Sequence, residues 1–189
     1  MSRTGHTSSL IIDSLTSDRC SGVIGMSCCP GRKISYTIGG DWDRDLDADI
    51  KAIRAWGASA VVSLMEEDEM AYYGVADIPA KTIQLGMTHY HLPIVDMHIP
   101  DDRFEAEWQS TGESLRNALI SGESIVIHCL GGFGRTGTIA GRLLVELGSD
   151  PETAILQVRR ARPGTIQTIM QECYVLGCKQ LNMNNSDDR

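Results

Sequence analysis

Within ten consecutive residues, His128-Cys129-Leu130-Gly131-Gly132-Phe133-Gly134-Arg135-Thr136-Gly137, a cysteine, closely spaced glycines and an arginine stand together. The run before them, Ser124–His128 (SIVIH), is apolar and β-branched, and the pattern after Arg135 turns helical. At a strand–loop–helix junction, glycines let successive backbone N–H groups turn inward, and the helix adds its positive N-terminal end. The backbone of Leu130, Gly131, Gly132, Phe133 and Gly134 is therefore expected to cradle a tetrahedral dianion. Arg135, six positions after Cys129, closes that cradle with a fork that fits two anion oxygens. The same field favours the thiolate of Cys129, so one loop combines a nucleophile with an oxyanion site. The hydroxyl of Thr136 is placed to donate to the sulfur. A bond from it to nearby backbone at the helix start is the local alternative.

A thiolate that displaces an alcohol or phenol from phosphorus needs an acid for the leaving oxygen. Asp96 follows the extended run His89–Val95 and precedes a loop ending in proline, Met97-His98-Ile99-Pro100. Open α/β sheets put their sites beyond the carboxyl ends of strands, which suits Asp96. Asp101 is the rival, while Asp102 with Glu105 reads as a capping-box-like helix start. Gln167 and Gln171 lie four apart, the spacing of one helical face, so both can point at one place, with a solvated helix face as the alternative. Arg159, Arg160 and Arg162 most simply complement a helix C-terminus. The run Glu66-Glu67-Asp68-Glu69 reads as a solvated helix start, with acids placed for the dipole. Bordering the pocket instead, it would repel acidic substrates. Cys28 and Cys29 read as core residues, with a redox partnership to Cys129 as the alternative.

These residues require a scaffold. Nearly continuous apolar runs at Gly22–Met26, Ala60–Leu64, His89–Val95 and Ser124–His128 suit strands buried on both faces of a parallel sheet. Helical stripes alternate with them: Leu46, Ile50 and Ile53 before Gly57; Phe104, Trp108, Leu115 and Leu119 after Asp102; Ile139, Leu143, Leu144 and Leu147 before Gly148. Another helix opens at Asp150-Pro151 and stops before Arg162-Pro163-Gly164. A last one carries Ile166, Ile169, Met170, Cys173 and Leu176 inward. The expected architecture is a three-layer α/β fold, a central mostly parallel sheet flanked by helices.

The chain has 189 residues, 42% apolar and 22% charged, as in an ordinary globular domain. Its net charge of -8 and pI near 5.0 disfavour nucleic-acid and anionic-membrane partners. No apolar run has membrane-span length, and no signal-peptide layout opens the sequence. The six cysteines have no zinc-site spacing with histidine and suit a reducing, cytoplasmic compartment. No repeat or linker divides the chain. Residues 1–181 are expected to form one domain, with 1–18 a partly flexible extension and 182–189 a flexible tail.

The stretch from His128 to Thr136 matches H-C-x-x-G-x-x-R-[S/T], the signature of cysteine-dependent protein phosphatases. Glycine at 131 resembles the kinase-associated branch of the dual-specificity group. Three further segments resemble that branch. Cys28-Cys29-Pro30-Gly31 is similar to its C-x-x-P-G, shifted by a residue. His91-Leu92-Pro93-Ile94-Val95-Asp96 is similar to its H-P-I-A-D with a leucine inserted, and Arg162 to Gln171 to its R-x-x-x-A-I-Q-T-x-x-Q. The resemblance implies a protein tyrosine phosphatase-like fold and a metal-independent phosphatase without cofactor. Hydrolysis would pass through a phosphocysteine, and the substrates would be phosphotyrosine and phosphoserine/threonine proteins, a kinase being one candidate partner. It also implies that Asp96 is the general acid, Gln167 positions the hydrolytic water and His128 supports the loop structurally. A monomer is expected. The alternatives are a phosphatase of lipid, nucleotide or RNA 5′ phosphate, a phospho-binding module without turnover, and a thiolate sulfurtransferase or arsenate reductase.

Overall fold

The computed structural model describes residues 9–34 and 42–181. Its main sheet contains β1 (Ile12–Leu15), β2 (Ile24–Ser27), β5 (Ala58–Ser63), β6 (Thr88–His91) and β7 (Ser124–His128), in the order β1-β2-β7-β5-β6. β1 runs antiparallel to β2, and the other pairings are parallel. A separate ribbon pairs β3 (Lys33–Ile34) with β4 (Trp42–Asp43). The expectations for residues 1–8 and 182–189 lie outside the described residues.

Both sheet faces are covered, which is why the strands read as continuous apolar runs. Ile125 and Ile127 of β7 enter one core with Ala60, Val62 and Leu64, and Val126 enters the other. The first core is closed by α4 (Asp102–Ile120), α5 (Gly134–Glu146), α6 (Pro151–Ala161) and α7 (Ile169–Leu176). The second is closed by α1 (Leu46–Trp56), α2 (Glu67–Tyr72) and α3 (Ile78–Gln84). Asp45 caps α1 through the Ala48 N–H, and Gly57 ends it in the left-handed region at φ 107°. No helix among the described residues is long and apolar enough to cross a membrane.

Several elements differ from the sequence expectation. Ile12–Leu15, placed in an extension, is an edge strand, and α2 and α3 had no clear periodic stripe. The third strand stops at His91 rather than Val95. The cap of α4 is Asp101, one residue earlier than expected, and Asp102 is the first helical residue. In α7 the inward residues are Gln171 and Val175, while Ile169 and Met170 are 82% and 60% exposed. The reason is that α7 begins only after Ile166, which sits at φ 55°, and after the Thr168 cap. Ile166 is buried from a turn, so it does not set the phase of the helix.

Candidate active site

The loop between β7 and α5 follows the carboxyl end of the sheet's central strand. Cys129 is the first residue past that strand and is 3% exposed. Gly132 adopts φ 75°, and a Cβ there would lie 2.2 Å from the Ser27 carbonyl oxygen, so no other residue fits without moving β2. This turn brings the Gly132 N–H to 3.3 Å from Cys129 Sγ.

The loop carbonyls are engaged from outside. The Cys129 carbonyl faces His128 Nδ1 at 3.4 Å. The Leu130 carbonyl accepts from the Cys29 N–H at 3.1 Å and from Arg32 Nη1 at 3.4 Å. Arg162 reaches the next two, donating from Nη2 to Gly131 O at 3.2 Å and from Nε to Gly132 O at 2.6 Å. Phe133 O accepts from Gly137 and Ile166 N–H groups. In a trans peptide the N–H points opposite the carbonyl of the same plane, so each outward carbonyl turns the following amide inward. The amides of residues 130–134 thus face the sulfur side. The first turn of α5 has no side-chain cap, which leaves its N–H groups open to an anion.

His128 is fully buried, and its Nε2 lies 2.6 Å from Ser63 Oγ, which in turn lies 2.9 Å from His89 Nε2. Burial, and then the charge of His89, pushes His128 down to about 3, so the ring is neutral at physiological pH. The Cys129 carbonyl can only accept, so the proton sits on Nδ1 and Ser63 donates to the bare Nε2. The ring is therefore fully used in holding the loop.

Arg135 is 2% exposed, and its position is fixed by Glu69. The two carboxylate oxygens of Glu69 accept from Nη1 at 2.7 Å and Nη2 at 2.8 Å. Nη1 also donates to Ile94 O at 3.1 Å and Leu64 O at 3.4 Å. Burial opposes the guanidinium charge. The Glu69 bonds and the charges of Cys129, Glu69 and Asp96 outweigh it and hold the group above its ordinary value. Nε is buried and has no partner, which leaves a donor for a bound oxyanion. Glu69 is thus part of the site, contrary to the solvated face expected of residues 66–69. Glu66 pairs with Arg103 at 3.0 Å. The Thr136 hydroxyl is buried without a hydrogen-bond partner, so the expected contact with the sulfur is not formed here.

Asp96 reaches the same guanidinium, with Oδ1 3.0 Å from Arg135 Nη2 and its side chain 64% exposed. The loop that carries it turns through Met97 at φ 62° and is closed by the His98 N–H on Val95 O. Gln171 Nε2 donates to His98 O at 3.2 Å, docking this loop on α7. Asp101 is committed elsewhere. It accepts from the Phe104 N–H at 3.0 Å and from Arg103 at 3.0 Å, and the Phe104 bond holds its carboxyl below the ordinary value.

Gln167 precedes α7, so it does not share a helical face with Gln171 as the spacing suggested. The two still converge, since a Cβ on Gly134 would meet Gln167 Oε1 at 2.9 Å and Gln171 Nε2 at 3.0 Å. Gln171 is fully buried in the capping box with Thr168, and Gln167 is exposed. Cys28 and Cys29 are buried in the second core. Desolvation raises both thiols, Cys29 the more, with Cys28 and Cys129 adding to it. Arg159 pairs with Glu172 at 2.6 Å. Arg162 braces the loop rather than simply complementing a helix end. No group of three His, Cys, Asp or Glu among the described residues is arranged to hold a metal ion.

Comparison with known proteins agrees with this geometry. Residues 42–149 match the family model described as "Polymorphic toxin system, DSP-PTPase phosphatase". Cyclin-dependent kinase inhibitor 3 of Rattus norvegicus is 31% identical over 159 residues, covering 82% of this chain and 71% of the rat protein. The Homo sapiens protein is 31% identical over 165 residues, covering 86% of this chain and 74% of its own. A crystal structure of kinase associated phosphatase, with its catalytic site cysteine replaced by serine, superposes with a TM-score of 0.79 at 28% identity. It covers 90% of this chain and 94% of that one. The five-stranded mixed sheet between helices is accordingly the protein tyrosine phosphatase-like fold. The chain belongs to the dual-specificity and tyrosine phosphatase family of cysteine-based protein phosphatases, and is related to cyclin-dependent kinase inhibitor 3.

Proposed function

We propose that the protein hydrolyses phosphotyrosine and phosphoserine/threonine monoesters by double displacement, using residues 1–181 as one phosphatase domain. The observation that carries this reading is the outward tethering of the loop carbonyls, which aims the amides of residues 130–134 at the space beside Cys129 Sγ. Cys129 thiolate attacks phosphorus and forms a phosphocysteine while the alkoxide or phenoxide leaves. The amides and Arg135 hold the three transferring oxygens, and the vacant Nε adds a bond that a tetrahedral anion can fill. Asp96, at the mouth and paired with Arg135, protonates the leaving oxygen. As a carboxylate it then takes a proton from the water that Gln167 orients from the edge of α5. That water cleaves the phosphocysteine and releases inorganic phosphate. The Thr136 hydroxyl can rotate toward the departing sulfur, and His128 keeps its structural task. A phosphorylated protein, with a kinase as one candidate, is the substrate class the relatives' names point to.

The test is a panel of phosphotyrosine, phosphothreonine and phosphoinositide substrates with a chelator present. Phosphopeptides should be hydrolysed, and Cys129→Ser should abolish turnover while still binding inorganic phosphate. Hydrolysis surviving Cys129→Ser would exclude the covalent route. A preference for the phosphoinositide would move the substrate class to lipid.

A further inference from the structure

Arg162 is held by more than the loop it braces. Its Nη1 donates to Asp13 Oδ2 at 2.5 Å, and its guanidinium lies 4.5 Å from the centroid of the Phe133 ring. The side chain is 12% exposed and that of Asp13 29%. All three nitrogens of the planar fork are therefore committed: Nε to Gly132 O, Nη2 to Gly131 O and Nη1 to Asp13. Asp13 lies on β1, two residues before the buried Leu15 and on the same strand face, which packs toward α6. β1 in turn pairs with β2, whose Ser27 carbonyl abuts Gly132.

We infer that Asp13 is a positioning residue for the oxyanion loop, acting through Arg162, so that the edge strand β1 completes the active site. This rests on the proposed phosphate-binding role of the loop. A guanidinium attached only by two carbonyls at one edge can pivot in the plane of its fork. Anchoring the opposite edge at Asp13 and one face at Phe133 leaves it a single orientation, and with it the Gly131 and Gly132 peptide planes. The amides those planes present, Gly132 N–H and Phe133 N–H, then stay aimed at the anion site. The strand that supplies Asp13 lies outside residues 42–149, the part matched by the family model.

Two effects of Asp13 on a bound dianion have opposite signs, which makes the inference testable. As a negative charge near the loop, Asp13 would weaken anion binding, and its removal would tighten it. As an anchor it strengthens binding, and its removal would loosen it. The experiment measures the inorganic phosphate dissociation constant by calorimetry and kcat/KM for a phosphotyrosine peptide in Asp13→Ala, Asp13→Asn, Arg162→Ala and the Asp13→Ala/Arg162→Ala pair. Asp13→Ala should weaken phosphate binding and lower kcat/KM by about tenfold, a fraction of the loss for one preorganised donor. Asp13→Asn keeps an acceptor for Nη1 and should fall between Asp13→Ala and wild type. The double variant should be no worse than Arg162→Ala alone. Tighter phosphate binding in Asp13→Ala, or losses that add in the pair, would overturn the inference. So would a lowered melting temperature with phosphate binding unchanged. Wild type that fails to bind inorganic phosphate at all would instead refute the reading of the loop as a phosphate site.

Discussion

Replacing Glu69 with glutamine separates two things a carboxylate can do beneath the buried arginine of the candidate site. The Glu69–Arg135 pair is bidentate at 2.7 and 2.8 Å, with the arginine side chain 1% and the glutamate 16% exposed. Glutamine keeps one acceptor and replaces the other with an NH2 group that faces a guanidinium N–H. One charge-assisted bond is lost outright, worth about 1.5–3 kcal/mol, and the remaining one weakens. Arg135 retains its bonds to Ile94 and Leu64 carbonyls, so it should stay near the loop but lose its single orientation. Taking about 2 kcal/mol of that as lost transition-state stabilisation, kcat should fall roughly 30-fold. Removing the negative charge acts the other way on a bound dianion, so inhibition by inorganic phosphate should change far less than kcat. Glu69→Asp is the control. It keeps the charge but shortens the reach by about 1.5 Å, so it should resemble Glu69→Gln if orientation is what matters. Steady-state kinetics with phosphate inhibition on the three proteins decides it. A Glu69→Gln kcat within threefold of wild type, or a Glu69→Asp enzyme at wild-type activity beside a crippled Glu69→Gln, would refute the orientation argument.

Asp96→Asn should cost about 10²–10⁴-fold on a phosphothreonine peptide and much less on an activated aryl phosphate, whose phenolate leaves unaided, as kcat/KM on both substrates will show. Asp101→Asn should show no such leaving-group dependence and should lose only part of an N-cap, about 1 kcal/mol or less of stability in a denaturant titration. Acid should destabilise the fold through two histidines, the buried His128 and the half-buried His89. Burial, with neighbouring histidine charge second, pushes His89 to about 4 and His128 to about 3. Both lie below the unfolded value of about 6.5, so the unfolded chain binds more protons and stability is lost as pH falls below that value, by about 2 kcal/mol per histidine at pH 5. Denaturant unfolding at pH 7 and pH 5 checks this. His89→Gln should remove close to half of the pH-dependent loss, and a flat wild-type profile would contradict it.

The strand–loop–helix turn after Cys129 was legible because its requirements are local. Glycine where φ is 75°, a strand behind and a helix ahead all fall within the ten residues around Cys129. The apolar strand runs were legible for a similar reason, since a strand covered on both faces has to be apolar throughout. Local signals also misled. Asp101 and Asp102 differ by one position, and either type can cap, so only the observed Phe104 N–H contact assigns the role. The stripe proposed for α7 took its phase from Ile166, which belongs to the turn before the helix.

The pairing roles of Glu69, Arg162 and Asp13 were missed for a different reason: each acts on a segment distant in sequence. Glu69 sits 66 positions from Arg135, Asp13 149 from Arg162, and Arg162 30 from Gly132. No periodicity links such pairs, and an acidic run after a strand looks solvated whether or not one member turns inward. One physical signal was nonetheless available for Glu69. A guanidinium set in the first turn of a buried helix just after a buried strand is expensive without a carboxylate, so a partner had to come from the carboxyl ends of nearby strands. Among the described residues, acidic side chains follow β5 at residues 66–69 and β6 at Asp96, and Arg135 is paired with a member of each. The demand that a buried charge be matched thus reaches across the fold where pattern does not. Applied to Arg162, the same demand leads to Asp13, a carboxylate on a four-residue edge strand with no motif of its own.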